Sequence, residues 1–131
     1  MTSILYPVVA HIFWCALLYA LLTVARAPVV WGIGRKDDES NPFQNVQPKI
    51  SANLSNQFEW PVFFHVLCVM LYVEQSAVTS TMMLMAWAFV IGRVLHSLVQ
   101  ICSSNVRVRG LVFTINFLAV IAMWVLFLFE L

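Results

Sequence analysis

Charge is scarce in this sequence. Aspartate, glutamate, lysine and arginine make up 10% of its 131 residues and hydrophobic residues 62%, against about 25% and roughly 45–50% in an ordinary soluble domain. So little charge excludes a water-facing globular surface, and the composition is that of an integral membrane protein. The charges that remain nearly cancel, Lys plus Arg 7 against Asp plus Glu 6. There is no basic surface or polybasic tail, which excludes nucleic acid as a partner. Cysteine is sparse too. Cys15, Cys68 and Cys102 stand singly in apolar surroundings with no CxxC or Cys/His spacing, so they read as packing residues rather than metal ligands or a disulfide framework. His11 and His65 read the same way, as isolated residues. Neither an internal repeat nor a low-complexity segment is present.

Long apolar runs are what the sequence does have. A spanning helix needs about 20 mainly apolar residues at a rise of about 1.5 Å each, and four windows qualify, near 4–26, 54–74, 76–102 and 108–130. Ala25-Arg26-Ala27 resembles a secretory cleavage site. The first window nevertheless lacks a basic start and its apolar run is too long, so it is expected to stay in the protein as a helix. Residues 31–55 gather glycine, proline, asparagine and most of the charge, and read as a loop. Tight turns near Glu74-Gln75-Ser76 and at Ser103-Ser104-Asn105 force antiparallel neighbours. The expected architecture is therefore a single all-α domain over 1–131, an up-down-up-down bundle of four transmembrane helices in the lipid bilayer. Arg35, Lys36 and Lys49 flank the first loop and Arg107 and Arg109 the third. The positive-inside rule makes that side cytoplasmic and leaves both termini outside.

The polar residues within the spans gather toward that side. Arg26 ends the first window, Asn56 and Glu59 open the second, and Asn116 lies in the fourth. Arg93, His96 and Gln100 are spaced three and four apart in the third, so they share one helix face. A charge near a span centre costs on the order of 2.5–3.5 kcal/mol even on the lenient insertion scale, so such groups belong together. Glu59 is the acid well inside a span and Arg93 the arginine farthest from an interface, and a Glu59–Arg93 contact is the expected pairing. Pro61 has no amide proton for the carbonyl of Gln57, so the second helix should bend beside a lined cavity. Trp14, Trp60, Trp87 and Trp124 read as packing or interfacial anchors.

Three motifs in order, "NQFEWPVFF" (56–64), "RVLHSLVQ" (93–100) and "NVRVRGLVF" (105–113), resemble those of the MAPEG family, the membrane-associated proteins of eicosanoid and glutathione metabolism, and most closely its bacterial branch. The resemblance covers essentially the whole chain. It implies a homotrimer of four-helix protomers in a bacterial inner membrane. Glutathione would lie between neighbouring subunits as cosubstrate for a transferase or peroxidase acting on a lipophilic small molecule. By the same resemblance Asn56, Glu59, Arg93, His96 and Gln100 fall at glutathione-binding positions, Arg35 at the arginine of a Gly-x-x-Arg segment that starts at Gly32, and Arg109 at the catalytic arginine that stabilises the glutathione thiolate.

This chain also departs from the catalytic members. Ser55 stands where they have a basic residue before the asparagine, and Gln100 where they have a tyrosine one turn beyond the histidine. Phe113 replaces a second tyrosine, and Gly110 follows Arg109 without a hydroxyl. These departures favour an alternative, a non-catalytic membrane module that binds a lipid or a partner protein. A small multidrug exporter ranks below both, because the first helix has no acidic residue.

Overall fold

Prolines and small polar residues set the ends of the helices. A computed structural model describes residues 3–74 and 78–130. Among these the chain is helical without strands: α1 (Leu5–Val30), α2 (Gln47–Asn56), α3 (Pro61–Val73), α4 (Ser80–Cys102) and α5 (Val106–Glu130). Gln75 and Ser76 of the expected turn lie outside the described residues. Thr79 caps α4, its hydroxyl accepting from the Met82 amide at 3.2 Å. Asn105 does the same for α5, taking the amides of Arg107 and Val108 at 3.1 and 3.2 Å.

By length and apolar composition α1, α4 and α5 can each cross a membrane. The span expected near 54–74 is in two pieces. Pro61 is the first residue of α3 rather than a bend within a longer helix, because its ring and missing amide stop the preceding turn from continuing. Residues 57–60 form an irregular turn. At 13 residues α3 rises about 20 Å, short of the roughly 30 Å hydrocarbon core. On the other side of the turn α2 claims the end of the expected loop. Ile50, Asn53 and Leu54 give it a buried face at helical spacing.

After α1, Gly32 and Gly34 adopt left-handed backbone (φ 71° and 76°) and turn the chain back on itself. Arg35 then donates from Nε to the Pro28 carbonyl at 2.7 Å, and Asn41 Nδ2 donates to the Ala25 carbonyl at 3.1 Å. The first caps the end of α1, and the second ties the following loop to its side.

Packing joins α1 to α2, α3 and α4, and α5 to α4 and α3, with the longest contact along α4 and α5. Two apolar cores result. Leu18, Leu22 and Ala25 of α1 meet Ile50 and Leu54 of α2. Phe64, Leu67 and Leu71 of α3 meet Met82, Ala86 and Phe89 of α4 and Val120, Met123 and Phe127 of α5. At Gly92 a side chain would collide with the Asn116 amide, so the missing Cβ is what lets α4 and α5 approach there. The buried face of α4 changes character along its length, from Met82, Ala86, Phe89 and Val90 to Arg93, His96, Ser97 and Gln100.

Candidate functional site

The break before Pro61 decides what Arg93 binds. Arg93 is fully buried. Its Nε donates to Gln57 Oε1 and its Nη2 to the Asn56 carbonyl, both at 3.1 Å. In an unbroken helix that carbonyl would be spent on the amide four residues ahead. The expected Glu59–Arg93 pair does not form. Among the described residues no carboxylate lies within ion-pair distance of Arg93, and Glu59 is exposed in the turn, acting on the arginine only at longer range. The reason is geometric: the turn points Gln57 inward, leaving 2% of it exposed, and carries Glu59 out to where its charge need not be desolvated.

Gln57 is the hub of a buried polar network that ties four helices together. Its Oε1 also takes a bond from His11 Nε2 at 3.0 Å, and His11 Nδ1 lies 2.9 Å from His65 Nε2. Its Nε2 donates to Asn53 Oδ1 at 3.3 Å and Ser97 Oγ at 3.2 Å. Ser97 Oγ accepts from Trp14 Nε1 at 3.1 Å and donates to the Arg93 carbonyl at 2.9 Å. His11 and His65 are therefore not the isolated packing residues their sequence positions suggest. Gln57, Asn53 and Ser97 were equally unmarked. The available signal was that an intramembrane histidine is functional by default, and that Pro7, His11, Cys15 and Leu18 share the buried face of α1.

Two adjoining hollows open where α4 turns into α5. One, of about 320 Å³, is lined by Asn56, His96, Gln100, Val106, Arg109, Gly110 and Phe113. The other, of about 330 Å³, shares Gln100, Val106 and Arg109 and adds Lys49 with the Ser103–Asn105 link. Asn56, His96, Gln100 and Arg109 thus come together as the sequence led one to expect. Arg93 lies behind them, joined through the Asn56 carbonyl. Glu59 and Arg35 do not line either hollow, since Arg35 is held at the end of α1. Gln100 Oε1 accepts from Asn53 Nδ2 at 2.9 Å and Asn56 Nδ2 at 3.3 Å. His96 Nδ1 and Arg93 Nη1 are buried with no partner among the described residues. Arg109 is exposed, with a forked set of donors.

The sequence model of the MAPEG family matches residues 4–129. The chain belongs to the MAPEG family. Comparison with curated proteins and with solved structures gives no match. As a MAPEG protein it is a multi-pass integral membrane protein of the glutathione and eicosanoid metabolism kind, and the matched region takes in every residue of the polar network and both hollows. The MAPEG motifs supply Asn56, His96, Gln100 and Arg109 to one place. Gln57, within the first motif, supplies the contact to Arg93 expected of Glu59.

Proposed function

We propose that this MAPEG protein binds glutathione at Asn56, His96, Gln100 and Arg109 and uses it against a lipophilic electrophile. The observation that carries this reading is the chemistry of the lining: both hollows present side-chain donors and an arginine, and neither is lined by aspartate or glutamate. Such a surface suits an anion, and glutathione carries two carboxylates and a thiol. The orphaned Nδ1 of His96, which lines the first hollow, fits a polar ligand as well, because a buried polar atom without a partner costs about 1–3 kcal/mol.

Glutathione supplies the sulfur nucleophile. Arg109 contributes a fixed positive charge at the mouth, which favours a thiolate over a thiol as cationic neighbours do for cysteine. Arg93, held rigid by Gln57 and the Asn56 carbonyl, adds a second charge behind Asn56. Glu59 and Arg35, outside the hollows of one chain, join the site from a neighbouring copy if the protein assembles as a homotrimer. The ultraviolet absorbance of the thiolate tests the proposal. Wild-type protein with glutathione should show it and Arg109→Ala should not, and an equal signal from both removes Arg109 from the reaction.

A second reading, a non-catalytic module for a lipid or a partner protein, is favoured by one feature. The Asn56 and Gln100 side chains already bind each other, and Asn53 occupies Gln100 further. Absence of saturable heat with millimolar glutathione selects it.

A further inference from the structure

We propose that a third hollow, between α1 and α3, binds a lipophilic molecule through its hydroxyl group, with His65 Nδ1 as the acceptor. The hollow measures about 270 Å³ and is lined by His11, Cys15, Tyr19, Gln57, Val62 and His65, among others. Its rim residues Ile12, Tyr19, Phe58 and Val62 are exposed apolar and aromatic side chains, so the mouth suits a ligand arriving from hydrocarbon. An apolar cavity of roughly 150 Å³ holds benzene, so a phenolic ring fits here with its tail along the rim.

The direction of every hydrogen bond in the floor follows from one group. Arg93 can only donate, so the Gln57 atom it meets is the carbonyl oxygen. His11 Nε2, bound to the same oxygen, must then carry a proton. A charged ring next to Arg93 at this depth is too costly, so His11 is neutral and its Nδ1 is a bare lone pair. That lone pair accepts from His65 Nε2–H; no described carboxylate touches His65 to balance a charge within the span, so its ring is neutral too and Nδ1 is left as an acceptor. No described residue donates to it. Both lone pairs of the Gln57 oxygen are in use, so it has no acceptor left for a ligand. The imidazoles thus end in one open acceptor, which matches a donor such as a phenol or alcohol. A ketone, ester or ether finds no imidazole proton free. No third His, Cys, Asp or Glu completes a metal site among the described residues.

The test uses the full chain in lipid nanodiscs and two probes of nearly equal shape, 4-octylphenol and its methyl ether, with binding followed by the ring ¹⁵N resonances of the histidines. The phenol should bind saturably and about tenfold more tightly than the ether, the factor one hydrogen bond gives, and should move the His65 Nδ1 resonance. In His65→Leu the preference should vanish. Ala16→Trp fills the hollow from its exposed side without touching the hydrogen-bonded chain, and it should weaken both probes at least tenfold by the same scale. Equal affinity for the two probes overturns the proposal. So does a preference that survives His65→Leu, or phenol binding that survives Ala16→Trp should His65→Leu fail to fold.

Discussion

The hollow at Arg109 and the hollow at His65 are close in size, about 320 and 270 Å³, yet their linings sort ligands in opposite ways. The first offers an exposed guanidinium with amide and imidazole donors, and so favours negative charge. The second is rimmed by exposed apolar side chains and ends in a neutral imidazole, and so favours an uncharged molecule with a proton to give. Gln57 stands between them, bonded to His11 on one side and to Arg93 on the other. Polarity inside a membrane bundle is thus divided by the type of group each hollow leaves unpaired, rather than by how many polar residues it holds.

The largest effect should come from removing what the two hollows share. Gln57→Leu strips one acceptor from both Arg93 and His11 and the donor from Asn53 and Ser97; the bond to the charged arginine is worth about 1.5–3 kcal/mol and each neutral bond about 1 kcal/mol more. Thermal unfolding in detergent should register that loss, and ligand binding at both hollows should fall together. Arg109→Ala should separate them. Arg109 is exposed, so stability should hold, whereas glutathione binding measured by calorimetry should weaken by about 1.5–3 kcal/mol, the usual worth of a hydrogen bond to a charged group. Phenol binding at His65 should be unaffected.

Gly92→Ala forces a methyl group against the Asn116 amide and should cost about 1–3 kcal/mol as overpacking does. The damage lies at the α4–α5 contact behind the Arg109 hollow, so that site should lose affinity while the α1–α3 hollow keeps its own. Smallest of all, Asn105→Ala removes the cap of α5 at about 1 kcal/mol. A modest drop in unfolding temperature, with glutathione affinity reduced more than phenol affinity, is the expected result.

Much of the frame was legible because apolar length is a direct record of membrane depth. α1, α4 and α5 could be placed from it, and so could the gathering of Asn56, His96, Gln100 and Arg109. What escaped has physical causes. α2 hid in a stretch whose proline, asparagine and serine content reads as loop, although Ile50 and Leu54 were spaced to face α1. Arg93 was recognised as needing a partner, but charge was matched to charge. An uncharged amide two residues before Glu59 met the need once the chain broke at Pro61. His11 and His65 are separated by 54 residues, and their contact exists only after α1 and α3 pack.

The carbonyl that Arg93 takes from Asn56 has a consequence for biosynthesis. When the first half of the chain enters the bilayer, the break between α2 and α3 leaves the Asn56 carbonyl without a backbone donor among the described residues, and the group that satisfies it is still on the ribosome. The first hairpin is therefore incomplete on its own. Insertion of α4 closes it, so a chain truncated before Arg93 should be handed to quality control rather than persist as a stable half.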